Sequence, residues 1–182
     1  MSLTRKVKSE VYKSKYIILW SQFSSQTGSA SLIFKAAGQI RELQMAADEN
    51  LPAGVIGLGI DTIEIERIRK AMQGRTGQRL ERRVFTPGEI AYCRSMSNPF
   101  PHFAARFAAK EAGMKALGTG WTAEVYWKGI EIIKDNRGKP LLKFNGKTAD
   151  FAAAFGITSG HVSLSHDRGR AVAVVVLTGR ES

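Results

Sequence analysis

The stretch Val55-Ile56-Gly57-Leu58-Gly59-Ile60-Asp61 decides how the chain is read. An apolar run that begins after Pro52-Ala53-Gly54 and closes on an acid predicts a buried first strand over 55–60. Its glycines suit close approach of another backbone, because they carry no side chain to hold it off. Asp61 stands at a strand-to-helix junction, where an aspartate commonly caps the helix that follows. Residues 62–72 predict that helix, with Ile65, Ile68 and Met72 on one side, and 74–77 predict a loop.

Further along, Thr86-Pro87-Gly88-Glu89 carries a capping residue, a proline at the first helical position and an acid three residues after the cap. That combination starts a helix, expected to run to about residue 95. Asn98-Pro99-Phe100-Pro101 breaks the chain before an Ala-rich helix over 103–117, with Phe103, Phe107, Met114 and Leu117 at helical spacing and Gly118 ending it. Strands are expected at 125–134 and 140–144 around Asp135-Asn136-Arg137-Gly138, and at 161–165 and 171–178 around Asp167-Arg168-Gly169-Arg170. A short helix over 148–155, closed by Gly156, separates the two pairs. Helices early and strands late imply an α+β domain with a mainly antiparallel sheet.

The 182 residues carry 27 Lys and Arg against 16 Asp and Glu, a formal charge of +11 that calls for an acidic partner. Nucleic acid, phosphorylated cofactors and acidic proteins all qualify. A single cysteine, Cys93, excludes an internal disulfide framework and fits a reducing, cytoplasmic setting. The apolar runs at 16–20 and 171–177 are far below the roughly 18 residues of a membrane helix, so a soluble protein without a membrane partner is expected. Composition shifts near 50–54, separating an extension, 1–53, from a domain over 54–182. Residues 1–44 hold eight Ser, seven Lys or Arg and two Glu, a balance shared by organellar targeting peptides and by basic arms, and Met45 is an alternative start.

Two further segments carry chemistry. In Arg106-Phe107-Ala108-Ala109-Lys110-Glu111-Ala112-Gly113-Met114-Lys115, helical spacing puts Arg106 with Lys110 and Glu111 with Lys115. These read either as surface salt bridges of small value or as ligand-binding groups beside small residues that admit close approach. In His161-Val162-Ser163-Leu164-Ser165-His166, strand alternation separates His161, Ser163 and Ser165 from His166, so the histidines do not share a metal.

Taken together and in order, these segments resemble the holo-acyl-carrier-protein synthases of the phosphopantetheinyl transferase superfamily, over about residues 54–182. Gly57 to Asp61 with Arg67, Arg83-Val84-Phe85-Thr86 with Glu89, Arg106 to Glu111 with Lys115, and Leu117-Gly118-Thr119-Gly120 carry the likeness. Gly129-Ile130-Glu131, Gly138-Lys139-Pro140 and His161 to His166 continue it. The resemblance implies Mg²⁺-dependent transfer of 4′-phosphopantetheine from coenzyme A to a serine of apo acyl carrier protein, releasing adenosine 3′,5′-bisphosphate and serving fatty acid biosynthesis. It further implies a homotrimer with shared sites, and Asp61 and Glu111 as metal ligands. Asp61, Glu111 and Lys115 are then the catalytic set, with Lys115 beside the leaving phosphate. Arg106, Lys110, Lys115, Ser165 and His166 are the expected coenzyme A contacts. The carrier serine loses its proton either to a water on the metal or to Glu111. Gly129 stands where the family pattern has an acid, so Glu131 is the only acid left on this strand.

Between Arg67 and Arg94 basic residues outnumber the two acids, Glu81 and Glu89. A solvated helical face explains such a run, as does the carrier-protein dock that the resemblance implies, with Arg67 the best match and Arg75 and Arg79 in a loop of altered length. A nucleic-acid-binding reading lacks aromatic residues interleaved with this basic stretch and any groove-reading motif, so no nucleic-acid partner is expected. A broad-range transferase of large synthases is disfavoured by the short single core.

Overall fold

The structure, a computed structural model, describes residues 54–179. The expectations for 1–53, including targeting and the Met45 start, lie outside the described residues. Strand β1 (Val55–Glu64) leads into helices α1 (Ile65–Gln73), α2 (Gly77–Val84), α3 (Pro87–Arg94) and α4 (Pro99–Ala116). A 3₁₀ turn (Trp127–Gly129), strands β2 (Ile130–Lys134) and β3 (Pro140–Phe144), helix α5 (Lys147–Ala154) and strands β4 (Ile157–His166) and β5 (Arg170–Gly179) complete it. All pairing is antiparallel: β1-β5-β4 form one sheet and β2-β3 a hairpin beside it. The expected α+β class is observed, and among the described residues no helix is long and apolar enough to cross a membrane.

Helix α4 lies across the three-stranded sheet, and alternation along the strands decides what it meets. Gly57, Gly59 and Ile63 of β1 and Ala171, Ala173, Val175 and Leu177 of β5 are buried under it. A β-carbon at Gly57 would sit 2.1 Å from the carbonyl oxygen of Ala116, and one at Gly59 2.0 Å from that of Ala112. The glycines and alanines therefore let helix and strand backbones touch, as no larger pair would. Asp61 is in phase with the glycines and is carried on the same, helix-facing side. The core extends from α4 through Phe103 against Phe85, ring centres 4.9 Å apart, and Phe107 against Trp127 at 5.0 Å.

Several expected boundaries move. Strand β1 runs on to Glu64, because Asp61 to Glu64 pair with Ala173 to Arg170, so α1 starts at Ile65 and Asp61 is no helix cap. Helix α2 occupies residues expected to follow a loop. Helix α4 begins four residues early: Pro99 and Pro101 lie in its first turn, where no amide hydrogen is needed. The expected strand over 125–134 is a 3₁₀ turn before Ile130. The capping box at α3 forms as expected, Glu89 N–H donating to Thr86 Oγ1 and Thr86 N–H to Glu89 Oε2.

Gly59→Ala should lower stability by about 2–3 kcal/mol in urea denaturation, because the obstructing atoms are backbone. Gly169→Ala, whose β-carbon meets nothing nearer than 3.9 Å, should change it by less than about 0.5 kcal/mol. Equal stability of the two variants would remove the close-approach account.

Candidate active site

The contact between α4 and β1 brings together residues distant in sequence. Lys115, one turn after Glu111 on α4, donates from Nζ to Asp61 Oδ1 at 2.9 Å and to the Ile60 carbonyl at 2.9 Å. Burial raises the Asp61 carboxyl above its ordinary value, against the lowering effect of Lys115 and, more weakly, Arg67. Glu111 is shifted further: burial and then the neighbouring Asp61 charge push it up to about 7, again opposed by Lys115 and Arg67. Two carboxylates and one ammonium thus share a single corner, with Arg67 acting on both acids from the first turn of α1. Among the described residues no group of three or more His, Cys, Asp or Glu side chains could hold a metal. The pair Asp61 and Glu111 is nevertheless the donor set that suits magnesium, which takes one or two carboxylates and fills its remaining positions with phosphate oxygens and water.

Lys110 departs from the sequence expectation. It is fully buried, and its ammonium donates to Glu89 Oε2 at 2.8 Å, to the Trp127 carbonyl at 2.9 Å and to the Ile130 carbonyl. All three donors are used inside the protein, so none remains for the coenzyme A phosphate assigned to it. Burial lowers the ammonium from its ordinary value, and Glu89 opposes this. Glu89 also accepts from the Ile132 amide at 3.0 Å, so one buried ion pair ties α3, α4 and β2 together. The sequence shows the capping box but not this second use of Glu89, which depends on where β2 returns.

Glu131 accepts from Thr86 Oγ1 at 2.6 Å and from Asn145 Nδ2 at 2.9 Å. Partial burial pushes its carboxyl up, but these hydrogen bonds prevail and hold it below the ordinary value. It is a bracing residue of the hairpin. The absent acid at Gly129 has a steric cause: a β-carbon there would lie 2.0 Å from Thr148 Oγ1, which donates to the Glu124 carbonyl at 2.8 Å.

The other expected contacts divide between places. Arg106, only 3% exposed, lays its guanidinium 4.0 Å from the centre of the Tyr92 ring, and its Nε has no hydrogen-bond partner. His166 closes β4 and meets His102 of α4, ring centres 5.5 Å apart. Ser165 projects from the opposite sheet face, with its strand partner Val172, so it does not join His166. Arg75 and Arg79, with Gln78, Arg82 and Arg83, line an open depression at the α1–α2 corner. Arg67 is separate from them in its action on the two acids. Sequence reading missed His102, since a lone histidine after two prolines carries no motif.

A family model described as the 4′-phosphopantetheinyl transferase superfamily matches residues 57–175. The holo-[acyl-carrier-protein] synthase of Koribacter versatilis is 46% identical over 123 residues, 68% of this chain and 98% of that protein. Among solved structures, holo-[acyl-carrier-protein] synthase from Neisseria meningitidis is similar with a TM-score of 0.63 at 32% identity, covering 68% of this chain and 98% of the other. The Helicobacter pylori enzyme, in complex with coenzyme A, gives 0.60 at 35% identity, covering 66% and 99%. With nearly the full length of these relatives matched, the chain belongs to the holo-acyl-carrier-protein synthases of the 4′-phosphopantetheinyl transferase superfamily.

Proposed function

We propose that the domain transfers 4′-phosphopantetheine from coenzyme A to a serine hydroxyl of an apo acyl carrier protein, the loading step for carriers of fatty acid biosynthesis. The observation that supports this is the convergence of Asp61, Glu111 and Lys115 where α4 touches β1. In the reaction the serine oxygen forms a bond to the phosphorus that bears pantetheine, and the bond from that phosphorus to the bridging oxygen of the pyrophosphate breaks. Adenosine 3′,5′-bisphosphate leaves. Asp61 and Glu111 are the residues to hold Mg²⁺, which when bound neutralises pyrophosphate charge. In the metal-free protein burial and the Asp61 charge push the Glu111 carboxyl up to about 7, a metal held there would favour its ionised form, and the proton the serine loses goes either to this carboxylate or to water. Lys115, already at the rim of this corner, offers its ammonium to the charge that develops on the departing bisphosphate. Arg106 and His166 are the phosphate contacts we retain from the sequence.

The remaining partners follow from two surfaces. Leu58 and Ile60 are each 56% exposed on the sheet face opposite α4, beside Val174 and Val176 of β5. An apolar sheet face of this kind calls for cover, and we assign it to further copies of the chain in a homotrimer, with Ser165 on the same face contributing to a site completed by a neighbour. The basic depression with Arg75 and Arg79, together with Arg67, forms the dock for an acidic carrier, where charge mainly accelerates encounter. Residues 54–182 form the catalytic domain and 1–53 an appended segment, in a cytoplasmic setting that suits the buried thiol of Cys93.

Incubating an apo carrier with coenzyme A and Mg²⁺ should add one phosphopantetheine mass in mass spectrometry, and Asp61→Ala or Glu111→Ala should abolish it; substantial transfer by either variant would sink the metal assignment. Reversing Arg67 and Arg75 to Glu should raise the carrier KM severalfold without matching loss of coenzyme A binding, an effect that fades with salt. Unchanged carrier kinetics would remove this dock. The raised Glu111 carboxyl has its own signature in metal-free protein. Between the ordinary carboxylate range and about pH 7 the folded state holds a proton that the unfolded state has lost, so stability falls as pH rises through this window and is level above it. Glu111→Gln should therefore exceed wild type in urea denaturation by roughly 3 kcal/mol at pH 8 and by little near pH 4.5. An offset independent of pH would contradict the shift.

A further inference from the structure

At the other end of α4 the structure gathers His102, His166, Arg106 and Lys134 around the Tyr92 ring, with no acid among the charged groups that act on His102. The Tyr92 ring of α3 takes the Arg106 guanidinium at 4.0 Å and the Lys134 ammonium, from the end of β2, at 4.4 Å. His102, one helical turn before Arg106, meets Tyr92 edge-on at 5.8 Å and His166 of β4 edge-on at 5.5 Å. The charged groups acting on His102 are His166, Arg106 and Lys134, all of one sign. Asp167, next to His166, is turned to its own hairpin, where it accepts the amides of Gly169 and Arg170 at 2.7 Å each. Arg106 is almost wholly buried, yet its Nε has no partner. Cations packed this closely repel one another, and a buried guanidinium nitrogen without an acceptor is costly. A bound anion would relieve both.

We propose that His102 is the proton-linked member of this anion site: it takes up a proton from solvent when a phosphate group of coenzyme A settles among Arg106, His166 and Lys134. The inference rests on the coenzyme A reading above and adds a residue and a proton to it. Burial, then the His166, Arg106 and Lys134 charges, hold the His102 imidazole below its ordinary value in the free protein. An arriving phosphate reverses the local sign and favours imidazolium. Binding and protonation are therefore coupled, and phosphate affinity must strengthen as pH falls through the titration of His102.

The chain has three histidines, so their ring Cε1–H resonances can be followed by NMR over pH 5 to 8. Assignment uses His161→Gln, His166→Gln and His102→Phe, the last keeping an aromatic ring against Tyr92. In wild type, saturating adenosine 3′,5′-bisphosphate should move the His102 midpoint upward by about one pH unit or more. Affinity for the bisphosphate should rise about tenfold more between pH 8 and pH 5 in wild type than in His102→Phe, a comparison that cancels titration of the nucleotide itself. A midpoint that stays put at saturation, or equal pH dependence in the two proteins, overturns the role of His102 and leaves the transferase reading standing. No binding to wild type at any pH would overturn both. Should His102→Phe fail to fold, the wild-type titration, assigned by the other two variants, still decides the question.

Discussion

Contact between two backbones organises this domain. Gly57 and Gly59 leave β1 bare where the Ala112 and Ala116 turns of α4 rest on it, and no β-carbon fits between them. That closeness has a chemical consequence, since Glu111 and Lys115 directly precede the two alanines along the helix. They are delivered to the flank of the strand on which Asp61 faces the same helix. A larger residue at either glycine would lift the helix and separate the acids, so packing and electrostatics at this corner are one constraint.

The corner is held from behind by a different kind of interaction. Lys110 points away from Glu111 into the interior and binds Glu89 and two carbonyls that precede and open β2. A buried ion pair contributes little net stability compared with apolar packing, but breaking one partner leaves an uncompensated buried charge. Lys110 and Glu89 therefore act as a latch whose value is register: they fix the rotation of α4 from which Glu111 and Lys115 project. Adjacent residues of one helix, Lys110 and Glu111, thus serve interior and site respectively. At the helix start His102 and Arg106 form a second electrostatic cluster, so α4 carries an acidic centre near its end and a cationic one near its beginning.

The excess positive charge of the chain acquires separate destinations in this arrangement. Arg75, Arg79, Arg82 and Arg83 crowd an open depression, whereas Arg106 is buried against Tyr92 and the exposed Lys134 reaches over the same ring. Arg67 belongs to neither group alone, because it damps the upward shifts of both Asp61 and Glu111. Exposed charges of this density favour long-range attraction, and buried ones favour specific pairing with an anion.

Local rules made several features readable from the residues alone. The Thr86 to Glu89 capping box and the antiparallel hairpins rest on interactions within a few positions, the glycine-bearing first strand shows in its apolar run, and all of them form. The family resemblance pointed to Asp61, Glu111 and Lys115, and the fold brings these three to one corner. Helix α2, the continuation of β1 past Asp61, the inward turn of Lys110 and the partnership of His102 with His166 were not readable. Each depends on which strand or helix arrives from a distant part of the chain to bury, pair or charge the residue. Composition and local spacing determined that acids and cations would occupy α4; only tertiary packing decided which faced the site and which faced the core, because burial and long-range pairing set the free energy of a charge.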